Sequence, residues 1–224
     1  MGPSAASLLI CLSFVLSTLA ASTGSLPVTC GSTVKLMHVA TGFRLHSHEV
    51  AYSRGSQQQS VTAYPTADDG NSLWSITGTL DTPCLPGSSI KKGSKLRLQH
   101  VGTRKWLHSH HFQSPLSAQM EVSAFGSDNE SDTGDVWTVE WDGKHKTWKQ
   151  DIKVMLKHQD TGGYLFSHPQ RFGNPIAGQH EVCGVTRKDK QTEWQAAEGV
   201  YMPLTTTSSK TSASDPDVAP EKEL

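Results

Sequence analysis

The sequence VKLMHVATGFRLHSH, residues 34–48, recurs in related form as LRLQHVGTRKWLHSH at residues 96–110 and as VMLKHQDTGGYLFSH at residues 154–168. Each copy has alternating apolar residues before a histidine, a threonine three residues after that histidine, and a leucine followed by a Ser-His pair. All of these spacings are the same in the three copies. The chain is therefore organised by an internal repeat with a period of about 60 residues.

The similarity continues beyond these blocks. Each copy has a glutamine, a valine three residues later and a closing tryptophan, namely Gln58, Val61 and Trp74, then Gln119, Val122 and Trp137, then Gln179, Val182 and Trp194. The alternation of Val34, Leu36 and His38 with polar or flexible neighbours is the pattern of a half-buried β-strand. Four short strands are predicted in each copy, and no sustained helical pattern is present between Cys30 and Gly199.

No single copy can bury its apolar side alone. Closure of three copies around a pseudo-threefold axis removes the free sheet edges that invite aggregation. An open solenoid is the alternative, but solenoids use shorter and more numerous units with atypical caps. We therefore predict an all-β fold, a β-trefoil over residues 29–201 with copies at about 30–84, 92–142 and 150–201.

The two ends of the chain have a different composition. The apolar run from Leu8 to Ala20 is too short to span a bilayer, and we interpret residues 1–20 as a signal peptide, with a buried core helix as the alternative. No later segment could cross a membrane. Residues 203–224 are rich in Ser, Thr and Pro and are predicted to be disordered. They end on Glu221, Lys222, Glu223 and Leu224, which resemble an endoplasmic reticulum retrieval signal. The alternative is a charged terminus with no targeting role.

These features predict the endoplasmic reticulum lumen, or secretion if the retrieval signal is weak. Asn129 begins an Asn-Glu-Ser sequon in a polar stretch, which predicts N-glycosylation. A net charge of −1 gives no basic face for nucleic acid. After removal of the signal peptide, the three remaining cysteines suggest one disulfide and one free thiol in an oxidising compartment.

The histidines suggest two interpretations. Three equivalent imidazoles could meet on the threefold axis and bind a metal ion. A residue that recurs in every copy is better explained by the repeat itself, because an imidazole can satisfy polar groups of a buried turn. His38, His100 and His158 are predicted to point inward, and His48, His110 and His168 are given the same scaffold role. Exposed ligand contact is a third possibility, and we predict no metal site.

No catalytic set stands out in the sequence. Neither a nucleophile elbow nor a His-Glu-x-x-His motif is present, so we predict a protein that is not an enzyme and has no cofactor. The tryptophans that close the copies are assigned to the core. Trp106, Trp141 and Trp148 are not fixed by the repeat, and they are the candidates for a surface that stacks on sugars or contacts a peptide, with partly covered surface aromatics as the favoured alternative.

The pattern Leu-x-His-x-x-Thr, then Leu-x-Ser-His, Gln-x-x-Val and Trp resembles the MIR repeats of the stromal cell-derived factor 2 family. This resemblance covers about Thr29 to Tyr201 and implies a β-trefoil in the endoplasmic reticulum lumen. It implies a chaperone cofactor that acts with a J-domain co-chaperone and BiP on misfolded or nascent glycoproteins. Direct binding of mannose-type glycans, as in a lectin, is the alternative that MIR repeats suggest.

Two of the cysteines flank the first copy. In a closed trefoil the two ends of one copy lie near each other, which makes a Cys30–Cys84 disulfide the natural pairing. Cys183 lies in the third strand of its copy and is interpreted as a small buried residue rather than a reactive thiol.

Overall fold

The computed structural model describes residues 25–205. These residues form twelve strands and three single-turn 3-10 helices, and they include no helix long and apolar enough to cross a membrane. The strands are β1 Thr33–His38, β2 Arg44–Ala51, β3 Gln59–Tyr64, β4 Trp74–Thr77, β5 Lys95–His100, β6 Trp106–Gln113, β7 Met120–Phe125, β8 Trp137–Glu140, β9 Lys153–His158, β10 Tyr164–Arg171, β11 His180–Val185 and β12 Trp194–Val200. The 3-10 helices are η1 Gly70–Ser72, η2 Thr133–Asp135 and η3 Lys190–Thr192.

The strand pairings define two closed rings. Six strands, the first and fourth of each copy, form a barrel in the cyclic order β1-β4-β5-β8-β9-β12. The other strands form the hairpins β2–β3, β6–β7 and β10–β11, whose second strands also pair with one another. A six-stranded barrel with a triplet of hairpins is a β-trefoil, as the repeat predicts.

The core is built from the same positions of each copy. Leu36, Leu98 and Leu156 are fully buried in the barrel, and so are the tryptophans that begin β4, β8 and β12. Each of these indole N–H groups donates to a leucine carbonyl of the same copy at 2.8–3.0 Å, namely Trp74 to Leu45, Trp137 to Leu107 and Trp194 to Leu165. The indole therefore keeps its polar atom satisfied while its rings fill the core.

A disulfide joins Cys30 and Cys84, whose Cα atoms are 6.1 Å apart across 54 residues of sequence. The structure thus contains the pairing that the sequence predicts. Cys30 precedes β1 and Cys84 follows β4, so the bond holds together the two ends of the first copy. The predicted signal peptide at residues 1–20, the predicted tail beyond residue 205 and the retrieval signal at residues 221–224 lie outside the described part of the chain.

Candidate functional site

The first histidine of each copy joins that copy to the one before it around the threefold axis, so the first copy is joined to the third. His38, His100 and His158 are almost fully buried, and the Nδ1 atom of each lies 2.9–3.0 Å from the threonine hydroxyl of its own turn. The Nε2 atom of each lies 2.8–2.9 Å from a backbone carbonyl of the preceding copy: Gln191 for His38, Asn71 for His100 and Gly134 for His158. The predicted scaffold role is confirmed, with the added finding that the partner carbonyl comes from another copy.

The hydrogen bonds also assign the ring protons. The backbone N–H of Thr103 donates to Nδ1 of His100, and that of Thr161 donates to Nδ1 of His158, each at 3.2 Å. Nδ1 is therefore an acceptor and Nε2 carries the proton that the carbonyl accepts. Burial lowers the pKa of both rings, and the carbonyl hydrogen bonds offset this only in part. Both histidines are neutral in the folded protein at neutral pH.

We expect His38, His100 and His158 to make stability fall as the solution is acidified from pH 7 to 5.5. Burial lowers the pKa of His38, His100 and His158 below 6.5, so the unfolded chain binds more protons than the folded one in this range. The contribution of these histidines to stability is fully present above the pKa of the unfolded chain. It is lost as the pH falls through their pKa in the folded state. Urea unfolding at several pH values measures this slope.

The matched comparison is His100→Gln against His145→Ala, because His145 is exposed. The first variant should show a shallower dependence of stability on pH, and the second should keep the slope of the parent protein. An equal slope in all three proteins would contradict the assignment of the buried imidazoles as the source.

The second histidine of two copies pairs with a buried carboxylate that sequence reasoning missed. Nε2 of His110 lies 2.9 Å from Glu121, and Nε2 of His168 lies 2.7 Å from Glu181. Both carboxylates are fully buried. Each glutamate directly precedes the repeated valine of its copy, where the first copy has Ser60, and this shared position was the available signal.

These carboxylates fix the loops of the neighbouring copy. Glu121 accepts hydrogen bonds from the backbone N–H and the hydroxyl of Ser56, in the β2–β3 loop. Glu181 accepts from the backbone N–H groups of Leu116, at 2.7 Å, and Ser117, at 3.1 Å, in the β6–β7 loop. Burial alone would raise the pKa of Glu181, but the hydrogen bonds from His168, Ser117 and Leu116 hold it below its usual value.

Within residues 25–205, two groups contain the residue types that bind metals, and one of them includes the His168–Glu181 pair. His168, Glu181 and Cys183 form one group, and His108, Asp132 and Asp135 form the other, with ligand atoms within 4.8 Å of each other. In the second group, Asp135 accepts from Ser131 and from the backbone of Asp132, while Asp132 caps η2. In both groups the carboxylates already have donors from the protein, which explains their geometry as scaffold.

Cys183 is a buried free thiol, as the sequence predicts. Burial and the neighbouring Glu181 raise the pKa of its thiol to about 12. The thiolate, which is the reactive form, is therefore not populated near neutral pH.

The prediction for the tryptophans outside the repeat pattern is wrong. Trp106 is 5% exposed, and Trp141 and Trp148 are fully buried, so none of them offers an indole face to a ligand. The guanidinium of Arg97 lies 4.2 Å from the ring centre of Trp106 and covers it. The rings of Trp141 and Trp148 pack in the core cluster, because large apolar surfaces gain most from burial.

Two of the open regions on the surface of residues 25–205 are candidates for binding. A cavity of about 540 Å³ beside β10 is lined by Phe166, His168, Arg187 and Asp189, among others. The second region lies at the hairpin loops, residues 52–58, 114–119 and 172–179, which follow β2, β6 and β10. These loops have seven, six and eight residues, so they break the threefold symmetry of the barrel.

Comparison with known proteins places this geometry in a family. The MIR domain model matches residues 45–196, which defines the chain as a MIR-domain β-trefoil protein. A stromal cell-derived factor 2-like protein of Arabidopsis thaliana is 52% identical over 177 residues, which cover 79% of this chain and 81% of that protein. Stromal cell-derived factor 2-like protein 1 of Homo sapiens is 45% identical over 183 residues, or 82% of each chain.

The structural comparison agrees. The crystal structure of the SDF2-like protein from Arabidopsis thaliana has a TM-score of 0.79 and 51% identity, and the match covers 81% of this chain and all of that one. The chain belongs to the stromal cell-derived factor 2 family.

Proposed function

We propose that the protein is a non-catalytic binding protein of the endoplasmic reticulum lumen. In this proposal it is a cofactor of a J-domain co-chaperone and BiP in glycoprotein folding quality control and degradation. The observation that carries the proposal is membership of the stromal cell-derived factor 2 family across four-fifths of the chain, at 52% identity to a member. The J-domain co-chaperone and BiP are proposed as partners because the family resemblance implies them.

The compartment is supported by the chemistry of the cysteines. Disulfides persist in oxidising compartments and are rare in the cytosol, and the Cys30–Cys84 bond closes the first copy of the trefoil. Asn129 of the sequon is exposed, which is the placement that N-glycosylation requires. The proposed signal peptide at residues 1–20 and the retrieval signal at Glu221, Lys222, Glu223 and Leu224 complete this assignment.

A binding role is supported by how the titratable groups are used. Within residues 25–205, the turn histidines His38, His100 and His158 and the glutamates Glu121 and Glu181 hold turns and loops in place through hydrogen bonds. Groups committed in this way are poorly placed to transfer protons to a substrate. The surface loops, which differ among the copies, are left to recognise partners.

The test is affinity capture from cells with the full chain carrying an epitope tag after Gly24. We expect the tagged protein to recover a J-domain co-chaperone and BiP, identified by mass spectrometry. The matched variant lacks Leu224 and should appear in the medium, because the terminal signal is incomplete. Recovery of no lumenal chaperone would contradict the proposed function.

The same preparation separates the chaperone cofactor from the lectin alternative. Purified protein applied to a glycan array should show no specific binding of mannose-type glycans. Binding of such glycans with micromolar affinity, without any protein partner, would replace the chaperone-cofactor proposal with a lectin function.

A further inference from the structure

The hairpin loops border a groove whose lining combines exposed apolar side chains with polar residues. One cavity, of about 350 Å³, is lined by Tyr52, Phe172 and Ile176, and another, of about 670 Å³, is lined by Phe112. The two cavities share Arg54, Pro115 and Leu116, so they adjoin; we call them together the hairpin groove. Phe112 is 54% exposed and Leu116 is 39% exposed, which is unusual for large apolar side chains.

The walls of the hairpin groove are held in place before any ligand arrives. The buried carboxylates of Glu121 and Glu181 fix the backbone of the β2–β3 and β6–β7 loops at Ser56 and Leu116. The hydroxyl of Tyr52 donates to the backbone carbonyl of Val61 at 2.7 Å and lies 3.0 Å from that of Val122, which anchors the floor. Loops that are already ordered lose little conformational entropy on binding.

The exposed charged residues of the hairpin groove are basic, whereas the carboxylates of Glu121 and Glu181 are buried behind its walls. Arg54 stands where the two cavities meet, is exposed, and forms no ion pair within residues 25–205. His111 is the other basic residue of the lining, and no aspartate or glutamate lines either cavity. An exposed guanidinium beside apolar walls is complementary to a carboxylate that is next to an apolar side chain.

We propose that the hairpin groove binds an extended segment of a partner protein in which an aromatic or branched apolar side chain lies next to an aspartate or glutamate. The apolar side chain contacts Phe112 and Leu116, and the carboxylate pairs with the guanidinium of Arg54. This inference rests on the proposed role as a binding protein and deepens it, because it assigns the surface and the chemistry of the segment.

The test uses fluorescence anisotropy with the full secreted chain and a fluorescein-labelled peptide, Ser-Gly-Asp-Phe-Asp-Leu-Gly-Ser. The comparison peptide has lysine in place of both aspartates. We expect the acidic peptide to bind with micromolar affinity and the basic peptide to bind at least about tenfold more weakly. Equal binding of the two peptides, or binding of neither, would overturn the proposal.

Two variants and one control locate the site. Arg54→Glu should weaken binding of the acidic peptide about tenfold, and Phe112→Ser should weaken it by a similar factor. Arg187→Glu is the matched control, because Arg187 is an exposed arginine of the cavity beside β10 and does not line the hairpin groove. Circular dichroism of each variant checks the fold. Equal loss with Arg187→Glu would overturn the assignment, since it would indicate an effect of overall charge.

The peptide assay and a sedimentation experiment distinguish two other possible occupants of the hairpin groove. The chain's own segment Asp215-Pro216-Asp217-Val218 has similar chemistry, and tighter peptide binding after Asp215→Lys and Asp217→Lys would assign the hairpin groove to that segment instead. Sedimentation that detects a dimer dissociated by Phe112→Ser would assign it to a second copy. Either result would overturn the proposal of a partner segment.

Failure of this inference is separable from failure of the proposed function. Capture of lumenal chaperones by Arg54→Glu at the level of the parent protein, with no peptide binding, would reject the hairpin groove alone. Peptide binding that depends on Arg54, without capture of any lumenal chaperone, would support the hairpin groove and reject the chaperone partners.

Discussion

Replacement of Glu181 by alanine is expected to lower the free energy of unfolding by about 3–5 kcal/mol, because each buried donor left without its acceptor costs about 1–3 kcal/mol. The change leaves the N–H groups of Leu116 and Ser117 without their acceptor, and it leaves His168 without its carboxylate. Buried donors that lose an acceptor keep the full cost of desolvation. Equilibrium unfolding in urea measures the loss.

The matched control is Glu193→Ala, because the ion pair of Glu193 with Lys153 is partly exposed and should contribute at most about 1 kcal/mol. Glu181→Ser is the second comparison, since it introduces the residue that the first copy has at Ser60. We expect it to destabilise less than alanine, because a hydroxyl can accept one of the hydrogen bonds. A loss below 1 kcal/mol for Glu181→Ala would contradict the assigned role.

The loss of stability in Glu181→Ala depends on pH in a defined direction. The folded state holds the pKa of Glu181 below its usual value, so the carboxylate contributes stability above the pKa of the unfolded chain. This contribution is lost as the pH falls through the folded pKa. The difference in stability between the parent protein and Glu181→Ala should therefore shrink in acid, and a difference that grew with acidification would contradict the ionised state of Glu181.

Removal of the disulfide is expected to cost about 2–4 kcal/mol, because the crosslink restricts a long loop in the unfolded chain. The loop between Cys30 and Cys84 spans 54 residues and contains the whole first copy. The variant Cys30→Ala with Cys84→Ala removes the bond without leaving an unpaired thiol. Guanidinium unfolding of this variant measures the loss, and reduction of the parent protein with dithiothreitol should give a similar value.

Cys183→Ala provides the control for this experiment. Cys183 is buried but unbonded, so its replacement removes one sulfur atom from the interior and no crosslink. Reduction should lower the stability of Cys183→Ala by the same amount as it lowers the stability of the parent, because both proteins contain the Cys30–Cys84 bond. If the double variant unfolds at the same denaturant concentration as the oxidised parent, the disulfide does not contribute to stability. It would then remain only as an argument for the lumenal compartment.

The fold could be predicted because its information is local and is repeated three times. Alternating apolar residues specify strands, and the identical spacings within the blocks that contain His38, His100 and His158 specify that the copies are equivalent. Closure follows because a single copy cannot cover its own apolar side. The scaffold role of these histidines followed from the same logic, since a residue present in every copy is explained by the architecture of the copy.

The candidate site was less predictable, because contacts between copies join residues far apart in sequence. Glu181 is held by a loop 64 and 65 residues away, and nothing near it in sequence indicates those partners. Exposure was also misjudged for Trp141 and Trp148, because irregular segments outside the repeat pattern give no periodicity from which burial can be inferred.

The sequence by itself determined the strands, the threefold repeat, the inward histidines and the pairing of Cys30 with Cys84. Only the tertiary structure decided which residues are exposed at the hairpin loops, and that Arg54, Phe112 and Leu116 adjoin one groove. The physical reason is that strand patterns depend on neighbours along the chain, whereas a groove is made where loops of different copies meet in space.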